Sequence, residues 1–344
     1  MGVAEVGGAE AEPVRGRGWP AWRIGLAVAW VVALVSVTLA WGFPASRDKV
    51  VIFVLTGLVI LVAGRRRGVG RLVLDFLPVL LFLYAYDLLR GQAGGVVGHV
   101  FTEPQLRADE WLFGGTIPTI TLQRALWNPA HPQIWDYGAF LVYLTYFLVP
   151  FGVAAILWRK GSDLFHRYVA LWIGLSFTAL LTYALYPATP PWLAAKEGFL
   201  PHVTRITPRM SKDIGVDLTR VMGAHTYVNQ VAAVPSLHAG VALLISLFFW
   251  SRTKRWRWLL VLYPLAMAFS LVYFGEHYFS DIALGWLYAV VAFIVGNRLY
   301  DLFADRRSTR RRSDEGGAET ESSAVAVTAA QPPEAGVVGE ERKR

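Results

Sequence analysis

The sequence predicts an all-α, polytopic integral membrane helix bundle, and three observations carry that prediction. Of 344 residues, 55% are hydrophobic. Apolar runs recur along the chain, several of them near the roughly 20 residues that cross a bilayer's ~30 Å of hydrocarbon. The basic residues gather between these runs rather than within them. The net charge of +8 would suggest a nucleic-acid partner in a soluble protein. Placed between apolar runs, it sets topology instead, so no nucleic-acid partner is expected. The absence of cysteine excludes disulfides and thiolate metal sites.

Eight spans are expected: Ala21–Phe43, Val50–Ala63, Leu72–Tyr86, Ile134–Leu157, Tyr168–Tyr186, Ser236–Trp250, Trp258–Phe274 and Tyr278–Tyr300. The second, third and sixth are short for a full crossing. Arg15, Arg17 and Arg23 around the start of the first run resemble a signal peptide. The run is too long for a typical signal core and lacks a small-residue cleavage site, so an uncleaved anchor is expected. Arg65–Arg67, Arg159 and Lys160, Arg252 to Arg257, and Arg306 to Arg312 follow alternate spans. The positive-inside rule then puts both termini in the cytoplasm and residues 87–133 and 187–235 outside. The expected location is a cell membrane, taken as bacterial. Residues 1–20 and 305–344 read as polar, disordered tails. Residues 21–66 are expected to carry the first two spans, and residues 70–302 the other six. The segment "ADEWLFGGTIPTITLQRALW" (108–127) fits either a partly helical cap in the membrane interface or a loop packed on the bundle.

Chemistry concentrates at the outer mouths. In "GEHYFSDIALGW" (275–286), His277 and Asp281 stand four apart at the start of the eighth span, which places them on one helix face. The carboxylate can fix the imidazole tautomer and free the other nitrogen as a nucleophile or base. A polar pair tying two helices together is the alternative. In "VPSLHAG" (234–240), Pro235 and Ser236 mark a helix start, with Ser236 as N-cap, and bring His238 to the same side. The helix starts at Ser236 and Tyr278 offer N–H groups to an anion such as phosphate. "YPATPPWL" (186–193) is a stiff exit from the fifth span, or simply a helix stop.

These stretches resemble the type 2 phosphatidic acid phosphatase superfamily, in its inositol phosphorylceramide synthase-like branch. "AAVPSLHAG" is similar to the second motif of that branch and "GEHYFSDIALGW" to the third. "YPATPPW" stands where the first would be, and "YDLLRG" (86–91) and "DEWLFGGTIPT" (109–119) resemble upstream features. The resemblance implies a six-helix core, which residues 70–302 would supply, and a phosphotransferase with His277 as nucleophile, Asp281 orienting it and His238 as acid and base. It implies no metal or other cofactor, and membrane lipids as partners: a phospholipid donor and a lipid-alcohol acceptor. A lipid or isoprenoid phosphate phosphatase is the alternative within the superfamily. Two features depart from the phosphatase pattern. No Lys-x6-Arg-Pro motif lies near residues 175–191, and Ser270 is followed by Leu271 rather than arginine. Candidate replacement cations are Arg90, Lys196, Arg205, Arg209, Lys212 and Arg220, with Arg90, Lys196 and Arg205 taken with Ser236 and Tyr278 as substrate-binding residues. A transporter would place charged or broken helices at mid-depth, whereas apart from Asp75 the polar residues here gather at one face. His238, His277 and Asp281 alone make a thin ligand set for a metal.

Overall fold

A computed structural model describes residues 21–41, 56–57, 59–60, 68–93, 97–160, 162–214 and 230–329. The described residues contain no β-strand; two isolated parallel bridges join Phe101 to Ala188 and Ala188 to Ala232. Eleven helices are present among them. These are α1 (Ala21–Trp41), α2 (Gly68–Ala93), α3 (Glu103–Leu112), α4 (Pro118–Leu126), α5 (Ile134–Lys160) and α6 (Ser162–Leu185). Then follow α7 (Pro191–Lys196), α8 (Ile206–Asp213), α9 (Leu237–Trp250), α10 (Arg257–Tyr273) and α11 (Phe279–Ala329). The chain is an all-α membrane helix bundle. By length and composition α5, α6 and the Phe279–Arg306 part of α11 can cross a membrane, and α9 and α10 are shorter apolar helices. Leu74, Leu141 and Leu287 are among many large apolar side chains on the outside, as a lipid-facing surface requires.

Helices α2, α5, α6, α9, α10 and α11 form the bundle, with α9 at its centre against α5, α6, α10 and α11. Its position follows from its sequence. "LHAGVALLISLFFW" is apolar all round, and such a helix stays out of water only when surrounded. At 1.5 Å per residue its 14 residues span only about 21 Å. The shortness of the expected sixth span is thus no defect: an enclosed helix need not match the bilayer.

The crossing of α9 and α11 is a backbone contact. A Cβ on Gly285 would lie 2.2 Å from the Ser236 carbonyl oxygen, and one on Gly240 would lie 3.0 Å from the Gly285 carbonyl. Ser236 N–H also donates to the Asp281 carbonyl at 2.9 Å. At the opposite end of the bundle Asp75 of α2 accepts from Trp158 Nε1 of α5 at 2.8 Å and lies 3.1 Å from His166 Nε2 of α6. The one charge expected in the third span is therefore a three-helix tie.

Several boundaries differ from the sequence reading. The third span extends to Gly68–Ala93. The eighth begins at Phe279, so His277 and Tyr278 precede the helix rather than belong to it. The helix continues to Ala329, past residue 305 where a tail was expected. Its alanines, arginines and glutamates are strong helix formers. Segment 108–127 is largely helical, in α3 and α4. The second span, Val50–Ala63, falls almost wholly outside the described residues.

Gly285→Ala is expected to lower stability by at least the ~1–3 kcal/mol typical of overpacking, because the clash is with backbone. Gly152→Ala, where a Cβ meets nothing within 4 Å, is the control. Thermal unfolding in detergent measures both; equal melting temperatures would remove the crossing from the account.

Candidate active site

Three connecting segments converge where α9 and α11 begin. The exit from α6 is threaded between two others: Ala188 N–H donates to Val231 O at 2.6 Å, Ala233 N–H to Ala188 O at 3.3 Å, and Thr189 N–H to Phe101 O at 3.0 Å. Its continuation docks on the third, because Trp192 N–H donates to Gly275 O at 3.1 Å. Gly275 has φ +73°, and a Cβ there would crowd Val203 and Thr204, so glycine is what this turn admits. Gln123 of α4 pins the turn from the side. Its amide nitrogen donates to Thr204 O at 2.8 Å and Tyr273 O at 2.9 Å, and its oxygen accepts from Thr204 N–H at 2.9 Å.

This turn presents His277. Its Nδ1 lies 3.5 Å from Asp281 Oδ2, and the same oxygen accepts from Tyr278 N–H at 2.9 Å. The two residues meet, but not as neighbours one turn apart on a helix. Asp281 sits in the first turn and reaches back to the residues before it, as a capping carboxylate does. His277 is 7% exposed and Asp281 fully buried. With Nδ1 turned to the carboxylate, Nε2 is the nitrogen left for chemistry. The contact is long for a hydrogen bond, a looseness usual in sites without substrate.

His238 lies in the first turn of α9 with its ring centroid 5.8 Å from that of His277. Ser236 caps this helix as its sequence position predicts, accepting from Ala239 N–H at 3.4 Å. It is fully buried. The α9 start, His238 and His277 thus converge on one place. Around His238 lie Tyr143, Tyr146 and Phe147 of α5, with centroids at 5.2, 3.9 and 6.0 Å.

The α11 start is not the open anion cradle the sequence suggested. Asp109 of α3 closes it, accepting from Phe279 N–H at 2.9 Å and Ser280 N–H at 2.8 Å. Asp109 is fully buried. Burial pushes its carboxyl above the usual range, opposed by those N–H groups. Tyr278, expected to bind substrate, is fully buried. Burial and the charges of Asp281, Asp109 and Glu110 raise its phenol, which stays protonated.

The candidate cations separate. Arg205 donates Nε to Glu276 Oε1 at 2.9 Å and Nη2 to Glu276 Oε2 at 3.1 Å, and stacks 4.4 Å over the Trp192 ring. Thr207 donates its hydroxyl to the same carboxylate. Burial lowers the basicity of Arg205, but Glu276 more than restores it, so the guanidinium stays charged beside the residue preceding His277. Arg209 pairs with Asp213. Lys196 is exposed at the end of α7. The Arg90 side chain and Arg220 lie outside the described residues. Ser270 donates to Ala139 O at 2.8 Å and is a core tie. No group of three or more metal-ligating His, Asp or Glu side chains occurs among the described residues.

Sequence reasoning missed Asp109, the tyrosines around His238, and Thr189. Thr189 is 1% exposed, and its hydroxyl has no hydrogen-bond partner among the described residues. It lies in the segment that pairs with Phe101 on one side and with Val231 and Ala233, just before the His238 helix, on the other.

The family model for the PAP2 superfamily matches residues 106–295. Among curated proteins, inositol phosphorylceramide synthase of Candida albicans is 27% identical over 168 residues, which are 46% of this chain and 36% of that protein. Its Saccharomyces cerevisiae counterpart, a catalytic subunit, is 29% identical over 166 residues, 46% of this chain and 41% of the other. The Schizosaccharomyces pombe catalytic subunit is 26% identical over 132 residues, 36% and 31%. The matches thus span well under half the length of these relatives. No solved structure matches.

Asp109→Ala is expected to cost about 0.5–2 kcal/mol, the range for a lost helix cap, and to lower turnover by loosening the turn that holds His277. Asp109→Asn, which keeps an acceptor, should recover part of both. Paired melting curves and activity assays test this; an Asp109→Ala protein as stable as wild type would show that the cap carries no load.

Proposed function

This chain belongs to the PAP2 superfamily, and from that membership and the meeting of His277, Asp281 and His238 we propose that it is a membrane lipid phosphotransferase. It moves a phospho-head group between lipids through a phosphohistidine. The observation that carries the reading is the His277–Asp281 contact of 3.5 Å beside the His238 ring. His277 Nε2 attacks phosphorus and the P–O bond to the leaving alcohol breaks. His238 gives that alcohol its proton. An acceptor alcohol then loses its proton to His238 and attacks phosphorus, and the P–N bond breaks, which regenerates His277. Asp281 balances the imidazolium while the phosphoryl group is attached.

Charge favours a phosphodiester donor. Asp109 and Asp281 close the α11 start, and Arg205 is matched by Glu276. A phosphomonoester approaches a dianion at pH 7, and each uncompensated charge in a partly desolvated site costs several kcal/mol. A diester carries one negative charge, closer to what the partial positive charge of the α9 start can balance. The names of the yeast relatives point the same way, toward an inositol phospholipid donor and a ceramide-like acceptor. Hydrolysis of a lipid or isoprenoid phosphate is the second reading. Its support is the shared first step.

His277→Ala is expected to abolish turnover, and Asp281→Asn to leave a small residue. His238→Ala should lose about 10²–10⁴-fold and, with a donor whose leaving group is good, accumulate an acid-labile, alkali-stable phosphoenzyme. Purified protein in liposomes, offered diester and monoester donors with and without a long-chain alcohol, decides between the readings. Faster phosphate release from the monoester, unaffected by the alcohol, would make it a phosphatase. An active His277→Ala protein would sink the mechanism.

We also place the site on the extracytoplasmic side, because Arg159, Lys160 and Arg252 to Arg257 lie at the other end of the bundle. Trp111, 83% exposed on α3, gives a reporter in a chain without cysteine. A Trp111→Cys protein should react with an impermeant thiol reagent in intact cells; labelling only after lysis would reverse the orientation.

A further inference from the structure

Tyr143, Tyr146 and Phe147 stand at i, i+3 and i+4 on α5 and so share one face. That face is turned to His238. The Tyr143 ring is nearly parallel to the imidazole, at 17° and 5.2 Å. Tyr146 is tilted by 36° with a centroid distance of only 3.9 Å, closer than the 4.5–7 Å usual for aromatic pairs. Phe147 meets the ring edge-on at 79° and also packs edge-on against Tyr146. Core packing explains why aromatic residues are here. It does not explain why one phenol ring lies nearly parallel to, and a second tilted against, the imidazole that is 5.8 Å from His277.

We propose that Tyr143 and Tyr146 are positioning residues for His238, a clamp of rings that holds the imidazole toward His277. The inference rests on the reading of His238 as the acid that serves the leaving alcohol. A cation over an aromatic face is attracted by the ring's quadrupole, so the clamp keeps the imidazolium in place until the leaving oxygen takes its proton. In the second half-reaction the same stack eases proton removal from the acceptor. The rings also replace freedom of the His238 side chain with a single orientation, and orientation of an acid is worth more as the leaving group gets worse. It is the ring and not the hydroxyl that acts.

The test uses leaving groups. Purified full-length protein in liposomes is given two phosphodiester donors with the same phospho-head group. One releases a lipid alcohol, and the other releases nitrophenolate, which departs without a proton; the first-turnover release of each is read, before the acceptor attacks. Wild type, Tyr146→Leu, Tyr146→Met, Tyr146→Phe and His238→Ala are compared. The clamp predicts that Tyr146→Leu and Tyr146→Met lose roughly 3- to 30-fold on the lipid-alcohol donor, the range of one cation–π contact, and under about twofold on the nitrophenyl donor. Tyr146→Phe should keep both rates. His238→Ala should show the same selectivity with a larger loss. Equal losses on both donors for both ring-deleted variants would overturn the clamp and leave Tyr146 a packing residue. Loss of activity in Tyr146→Phe would overturn it in favour of the hydroxyl. If His238→Ala itself shows no dependence on the leaving group, the assignment of His238 as acid fails. If His238→Ala is selective and the Tyr146 variants are not, only the clamp fails.

Discussion

The site depends on the close crossing of α9 and α11. His238 in the first turn of α9 and His277 just before α11 can meet only if the two helix starts are held within a few ångströms. Side chains between the helices would prevent that. Gly285 removes the obstacle, and the Ser236 N–H to Asp281 carbonyl bond then ties the two starts directly, backbone to backbone. Everything at the site hangs from this tie. Asp281 is at once the acceptor strand of the tie, the cap for Tyr278 N–H and the partner of His277. A displacement of one helix start would disturb all three. Placing α9 at the centre of the bundle makes such a displacement expensive, since it would open packing on four sides.

Electrostatics at the same place oppose what first inspection suggests. A helix start normally welcomes an anion, and two starts meet here. One of them is already filled from within the protein. Asp109 satisfies Phe279 and Ser280, so the partial charge of α11 is spent on fixing the turn rather than on substrate. Glu276 likewise holds Arg205 in a bidentate pair and keeps it over Trp192. Both devices exchange binding charge for rigidity. A site so built favours a substrate bearing little charge, in keeping with the proposed transfer between lipids.

Much of this was legible in the sequence, for identifiable reasons. Apolar run length gave the bundle, and the Ser236 cap and the two histidine motifs gave the residues that meet. The central position of α9 was implicit in its all-apolar composition, yet its length alone suggested a short span. His277 and Asp281 were paired correctly on a wrong geometry, because helical periodicity was extended two residues past the true start at Phe279. Asp109 could not be reached by any local rule. It acts on residues 170 and 171 positions later, and in sequence it is one acid in a polar cap segment. Tyr143 and Tyr146 read as part of an apolar span, since nothing in a spacing of three distinguishes a core aromatic from one stacked on a catalytic ring.

That last ambiguity has a physical root. In a soluble enzyme an acid-base histidine is oriented by polar neighbours, which stand out in a sequence. Within a membrane bundle each added polar side chain must itself be satisfied or costs several kcal/mol. Aromatic rings are apolar enough to face lipid-like surroundings and still carry a directed quadrupole. In the proposed clamp the tyrosines on His238 orient a transient cation without adding another charge to be buried. The two histidines are supported differently for the same reason. Under the proposed mechanism His277, the nucleophile, has a buried carboxylate, and His238, which gives its proton up and takes it back, has rings.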